Sequence, residues 1–344
     1  MFSRIETHSM KSIRVETRGG PEVLVYQDQV KPECPPDRVL LKVIAAGINF
    51  ADTMQHHGTY PLQLPLPYTP GMEVVGIVEE IGANVITDVS LGERVAVLSW
   101  EAGGYAEYTV TKPEQVIRIP DLLDAHTVLA LLFQGISAYL LLDYAAKIRA
   151  GESVLIHAAA GGVGNLLVQL AKLMNAGDVF GTAGTGAKRE MIRNWGVDYP
   201  IDYTESNWHE KILEITDGKG IDIILDPIGG SAIAQNLSCL AVEGRFVSYG
   251  WLSGDCPSLT ATQCQNLLFR NQSISGFAIS AVMNHHPDII KTALTQLFTW
   301  VQMDKLKPIL GHAFPLEDAA QAHAAILARK TTGKVILQVD QYHA

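Results

Sequence analysis

The stretch Val154-Leu-Ile-His-Ala-Ala-Ala-Gly-Gly-Val-Gly164 constrains this chain more than any other. An apolar strand runs straight into a helix through a turn whose small residues fall as Ala159-x-Gly161-x-x-Gly164. Such a turn lets backbone N–H groups at a helix N-terminus approach a pyrophosphate, and its last glycine lets the helix lie close on a sheet. A glycine turn can also be only a turn, and Ala159 departs from the strict pattern. The flanking sequence favours the dinucleotide reading. Strand-like Val154–His157, Val179–Thr182, Ile221–Asp226 and Arg245–Tyr249 alternate with helix-like Val163–Met174, Ala187–Trp195 and Ser231–Leu240. That alternation predicts an α/β domain with a doubly wound, Rossmann-type parallel sheet. Ala159, Gly161, Gly162, Val163 and Gly164 are its candidate cofactor contacts.

In NAD-binding folds a carboxylate at the end of the second strand holds the ribose 2′-hydroxyl. Here that place reads Gly181-Thr-Ala-Gly-Thr-Gly186, without an acid, and Lys188 follows. Small residues leave room for a 2′-phosphate and an ammonium neutralises it, so NADPH is the expected cofactor. Lys188 can also be read as a solvated charge in a first helical turn, where a cation is mildly unfavourable.

The chain is long enough for about two domains. Up to about Pro120 it carries short β-branched runs, Val39–Ile44, Val74–Ile81 and Arg94–Leu98, punctuated by Gly and Pro. These predict a small, partly closed β barrel. Ala125–Leu142 has helical periodicity. After Lys307 the texture returns to strand, helix and strand, in Pro308–His312, Leu316–Ala328 and Lys334–Val339, and this tail is assigned back to the first domain. The expected boundaries are 1–125 with 308–344, and 126–307.

A formal charge of −10 has the wrong sign for a protein that grips phosphate backbones, so no nucleic-acid partner is expected. Cys34, Cys239, Cys256 and Cys264 are scattered and read as reduced thiols rather than metal ligands. The apolar stretch Thr127–Leu142 is interrupted by Gln134, Gly135 and Ser137 and is shorter than the roughly 20 residues that span a bilayer. The opening residues, with Arg4, Glu6 and His8, lack a signal-peptide core. A cytoplasmic protein without a membrane partner is expected.

Together, Ala45-Ala-Gly-Ile-Asn-Phe-Ala-Asp-Thr53, Gly58-Thr-Tyr-Pro61, the His157–Gly164 block, Gly181-Thr-Ala-Gly-Thr, Ile201-Asp-Tyr203 and Gly333-Lys-Val-Ile-Leu337 resemble the zinc-free quinone oxidoreductases of the zeta-crystallin type. These belong to the medium-chain dehydrogenase/reductase superfamily. The likeness covers nearly the whole chain. It implies a GroES-like β-barrel catalytic domain made from both chain ends, an inserted Rossmann domain, and a cleft holding NADPH. It also implies site residues: Asn49 and Tyr60 beside nicotinamide and substrate, Ser137 near the nicotinamide, and Lys188 with Tyr203 at the 2′-phosphate. Asp226, Ile228, Gly229, Tyr249 and Gly250 border the riboses, and Thr182 and Lys334 complete the cofactor contacts.

Zinc-dependent relatives place a catalytic Cys where this chain has Asn49, and a Gly-His-Glu where it reads Gly71-Met-Glu73. Two ligand positions thus carry side chains unsuited to zinc. Without a Lewis acid an alkoxide is hard to stabilise, whereas quinones and conjugated enones spread the incoming charge themselves. Hydride reduction of a small quinone or enone is therefore expected. The alternatives are an enoyl-thioester reductase and a non-catalytic NADPH- or RNA-binding crystallin-like protein. The resemblance further implies a homodimer, with Gln272–Ile279 extending a sheet across it. Asp52 reads either as a proton relay or as a helix cap. His56-His57 and His285-His286 read as surface loop, and Gln134, Trp251 and Phe277 as pocket or core.

Overall fold

The computed structural model describes residues 9–250, 252–254 and 259–340. Trp251, Cys256 and the first eight residues lie outside the described residues. The strands, in chain order, are β1 (Ser9–Arg14), β2 (Val25–Val30), β3 (Val39–Ile48), β4 (Glu73–Ile81), β5 (Arg94–Leu98), β6 (Tyr108–Thr111), β7 (Val116–Arg118), β8 (Val154–Ile156), β9 (Val179–Thr182), β10 (Tyr199–Ile201), β11 (Ile221–Asp226), β12 (Leu240–Ser248), β13 (Ser273–Gly276), β14 (Leu310–Pro315) and β15 (Lys334–Gln338). They fall into two compact units, residues up to Phe133 together with those from Leu310, and Gln134–Ile309.

The first unit is a GroES-like β structure. Its main sheet runs β14-β15-β3-β4-β5-β7, with β6 also pairing β3, and β1 pairs β2 separately. The chain's tail enters as β15, antiparallel to β3. The long strand β3 is buried along nearly its whole length because it carries partners on both edges and a core beneath. Ile13, Leu41, Val43, Val74, Val95 and Leu337 meet in that core.

The second unit is a parallel sheet of order β10-β9-β8-β11-β12-β13. This is the doubly wound order with its switch between β8 and β11, where ligands bind beyond the strand carboxyl ends. Strand β12 begins at Leu240, five residues earlier than the apolar run at Arg245 suggests. The register against β11 shifts between Ile221 and Ile223, which pair with Leu240 and Arg245, so the extra residues of β12 bulge out between them. The helical region Ala125–Ala145 runs unbroken through Gln134, Gly135 and Ser137, helped by π-type turns at Leu131–Gly135 and Leu141–Ala145. It is longer than the sequence reading allowed. At 21 residues it is long and apolar enough to cross a membrane, yet 78% of its most apolar window is buried, as in a core helix.

Candidate active site

In the second unit the sequence-predicted residues gather at the carboxyl ends of the strands. Strand β8 leads into Ala158, held at a φ of 50°, and the helix Gly162–Leu173 starts at once. A Cβ on Gly164 would lie 2.3 Å from the Ala158 carbonyl oxygen, so only glycine lets this helix pack against the turn. Gly161 and Gly162 leave the helix N-terminus open at backbone level, with the buried Gln134 side chain against Gly162. The Ala159 N–H donates to the Thr182 carbonyl at 3.1 Å, which ties the turn to the end of β9. Val163 is partly exposed in the first turn. This cradle fits a pyrophosphate: small residues, free backbone approach and a helix N-terminus.

Around the cradle, Asp226 ends β11 fully buried. Its carboxylate accepts the Ile228 N–H at 2.6 Å, the Gly229 N–H at 3.3 Å and the Asn236 amide at 3.2 Å. Its carbonyl accepts the Tyr249 N–H at 3.0 Å, bringing Tyr249-Gly250 to the same edge. His157 bridges Asn236 (2.6 Å) and the Thr182 hydroxyl (3.2 Å), and burial pushes its pKa down. Sequence reasoning missed His157 and Asn236 as the posts that hold Thr182 and Asp226, because His157 reads only as part of the fingerprint block and Asn236 belongs to no motif.

At the end of β9 no carboxylate follows Thr182. Thr185 caps the next helix by accepting the Lys188 N–H at 3.2 Å, and Lys188 is partly buried, so desolvation lowers its pKa. The Tyr203 hydroxyl would lie 3.0 Å from a Cβ on Gly184, so Tyr203 closes over that turn. Arg189, absent from the sequence reading, donates to Asp202 at 2.7 Å and to the Ala183 carbonyl at 3.2 Å. Ser137 is buried in the helix Ile136–Leu140.

In the first unit Asn49 starts the helix Phe50–His57 and is 2% exposed. Its N–H donates to the Asp52 carboxylate at 2.7 Å, so Asp52 serves as a cap. The Asn49 amide nitrogen donates to Glu73 Oε1 at 2.8 Å, while its amide oxygen accepts from Lys334 Nζ at 3.0 Å. Lys334 and Glu73 are ion-paired with both side chains 0% exposed, and Glu73 also accepts the Phe133 N–H at 3.0 Å. Lys334, read from the sequence as a cofactor contact, is thus committed to a buried cluster. Strand register explains it. Gly47 on β3 pairs with Glu73 on β4 and with Ile336 on β15, and a Cβ there would meet Glu73 Oε1 at 2.3 Å and Lys334 Cε at 2.7 Å. Met72, at the other former ligand position, is buried. Among the described residues no group of three His, Cys, Asp or Glu side chains could hold a metal ion.

Tyr60 is half-buried on the loop that follows the helix, and burial together with the Asp52 charge raises its phenol pKa. It therefore keeps its proton as a hydrogen-bond donor. Burial beside Glu73 pushes Asp52 up to about 7, against the pull of Lys334 and the Asn49 N–H. His56 is fully buried on the helix rather than in a surface loop, while His57, His285 and His286 are exposed.

A Rossmann unit and a GroES-like unit made from both chain ends, in one chain, define a medium-chain dehydrogenase/reductase. Residues 35–121 match the alcohol dehydrogenase GroES-like domain and residues 195–337 the zinc-binding dehydrogenase family. The quinone oxidoreductase of Pseudomonas aeruginosa is 32% identical over 330 residues, covering 95% of this chain and 99% of the relative. That of Sus scrofa is 35% identical over 330 residues, covering 95% and 97%. The solved structure of Escherichia coli quinone oxidoreductase complexed with NADPH matches with a TM-score of 0.88 at 28% identity, covering 96% of this chain and all of that one. The chain belongs to the quinone oxidoreductase family.

Proposed function

We propose that this protein reduces quinones and electron-poor alkenes with NADPH, without a metal. The observation that carries the reading is the end of β9, where an acid-free turn meets Lys188 and Tyr203 beside a backbone cradle. Ala159, Gly161, Gly162, Val163 and Gly164 hold the pyrophosphate. Lys188 and Tyr203 hold the 2′-phosphate. Thr182, Asp226, Ile228, Gly229, Tyr249, Gly250 and Ser137 border the riboses and nicotinamide. Bound NADPH supplies the hydride.

The residues of the first unit meet the acceptor. Asn49 and Tyr60 orient its carbonyl, and Tyr60, held protonated by burial, donates to the oxygen as charge develops there. Glu73 and Lys334 clamp the two ends of the Asn49 carboxamide, so its orientation costs nothing at the moment of reaction. Lys334 acts in this way rather than as a direct cofactor contact.

Two chains pair as a homodimer through β13, the edge strand of the Rossmann sheet. The exposed Val242, Leu268 and Phe269, 60%, 70% and 80% exposed, provide apolar surface on neighbouring segments. A cytoplasmic setting without nucleic-acid partners accords with the charge of −10.

The test is oxidation of the reduced cofactor with a panel of quinones and enones, beside RNA binding in a salt titration. Turnover without salt-sensitive RNA binding supports the enzyme. Salt-sensitive RNA binding without turnover overturns it.

A further inference from the structure

Behind Asn49 the first unit encloses a row of titratable side chains that the chemistry above leaves unused. Asp52 and His56 lie one turn apart on the helix Phe50–His57, 2% and 0% exposed. Tyr105 and His323 are fully buried, with the Tyr105 hydroxyl 3.2 Å from His323 Nε2 and hydrogen-bonding toward Asp52. The rings of His323 and His56 follow, their centroids 5.2 Å apart. His323 Nδ1 and His56 Nε2 are both buried, and neither has a hydrogen-bond partner.

The hydrogens in this row follow from its neighbours. His56 Nδ1 lies 2.8 Å from the Gly19 carbonyl, which can only accept, so Nδ1 carries the hydrogen and Nε2 is a bare acceptor. When Asp52 is ionised, the single Tyr105 hydrogen goes to it. His323 must then donate from Nε2 to the Tyr105 oxygen, which leaves Nδ1 bare as well. Two bare nitrogens in neighbouring sealed rings call for one donor with two hydrogens, and water is that donor. When Asp52 is protonated the row reverses. Asp52 donates to Tyr105, Tyr105 to His323 Nε2, and His323 Nδ1–H to the water, which still donates to His56.

We propose that one ordered water joins His323 to His56, and that Asp52, Tyr105, His323 and this water form a proton-transfer chain, held at its outer end by His56, that reloads Asp52 during turnover. Its role in turnover rests on the quinone-reductase reading. Hydride addition to a quinone leaves a hydroquinone monoanion, which takes one proton. The O–H bond of Tyr60 breaks as the hydroquinone O–H forms, and Asp52 returns a proton to Tyr60. Asp52 regains one from Tyr105, Tyr105 from His323 Nε2, and His323 Nδ1 from the water. The hydroxide left on the water takes the last proton from solvent at the His56 end of the row, while His56, its Nδ1–H fixed on the Gly19 carbonyl, holds the water as an acceptor. The groups facing the row are consistent with this direction. Glu73, Lys334, Tyr60 and Tyr68 act on Asp52; His57 acts on His323; and Arg18, His57 and the exposed Glu22 act on His56 at the outer end.

Histidine nitrogen NMR on the wild-type protein tests the row without turnover. His56 is expected to hold its hydrogen on Nδ1 throughout, and His323 to change from Nε2–H to Nδ1–H as pH falls through about 7, the value to which burial raises Asp52. A His323 tautomer that stays the same across that range overturns the proposal, whether or not the protein reduces quinones. Tyr105→Phe keeps the shape and removes the hydroxyl. Its kcat with benzoquinone is expected to fall tenfold or more, at the modest end of the roughly 10²–10⁴ range for general acid catalysis, most strongly above neutral pH. NADPH affinity should be unchanged. Wild-type kcat and pH profile in this variant also overturn the role in turnover.

Discussion

The two units build their sites by opposite means. In the second, the candidate site is backbone: a turn of small residues at Ala158–Gly164 that leaves no room for a Cβ at Gly164, and side chains such as Asp226 spent on holding loops. In the first, it is side chain: Asn49, Glu73 and Lys334 locked together in the interior, with Asp52 and Tyr60 close by. A backbone cradle suits a ligand whose charge is constant, whereas an acceptor whose charge changes during reaction needs donors of tunable strength. Losses in the second unit should therefore appear as cofactor affinity, and losses in the first as rate or stability.

The largest expected effect lies in the first unit's interior. Lys334→Met leaves Glu73 buried without its partner, and breaking such a pair costs about 3–5 kcal/mol. Denaturant unfolding should show that loss, and Lys334→Met with Glu73→Gln should recover most of it. If the single variant is as stable as wild type, the pair is not the clamp described here.

Next comes Tyr60→Phe, for which kcat and kcat/KM with benzoquinone and a simple enone should fall together by about 10², as for a lost transition-state donor. A defect with the enone alone would mark alkene reduction as the chemistry this residue serves. Near-normal rates with both would leave positioning as the main contribution.

In the second unit Lys188→Ala should weaken NADPH by roughly 1.5–3 kcal/mol, one to two decades, and NADH far less. Fluorescence titration of both cofactors checks this, and an equal loss for both would move Lys188 off the 2′-phosphate.

The smallest net effect is on acid stability, because two buried groups oppose each other. Burial pushes His323 down to about 3 from its ordinary 6.5, so the unfolded chain takes up its proton first and stability is lost as pH falls through that window. Asp52 is raised from 3.8 to about 7, so the unfolded chain releases its proton first and stability is lost as pH rises between those values. Asp52→Asn should therefore gain stability relative to wild type above neutral pH, while His323→Gln should flatten the acid limb. Chemical denaturation across pH reads both slopes, and a wild-type profile in each variant would place these groups in solvent contact.

These contrasts also explain what was legible in the sequence. The second unit's candidate site was partly readable because two of its pieces are short windows at strand ends, the glycine turn and the acid-free end of β9, whereas Asp226-Pro-Ile-Gly229 was named by resemblance. Each of the two windows has its own local mechanism. Asn49 and Tyr60 could be named only by resemblance, since nothing local marks them. The Glu73–Lys334 pair was invisible because three strands bring it together across Gly47, and strand register is a property of the sheet rather than of any window. His56 was misplaced for a related reason. The helix begun at the Asn49–Asp52 cap and closed at Gly58 turns it inward, so its neighbour His57 alone faces outward.

The most direct test of the division between units is Asn49→Ala, measured for NADPH affinity and for kcat on one preparation with benzoquinone. The account predicts affinity within about twofold of wild type and kcat lower by about 10². A variant that loses NADPH affinity while keeping its kcat at saturating cofactor would contradict it.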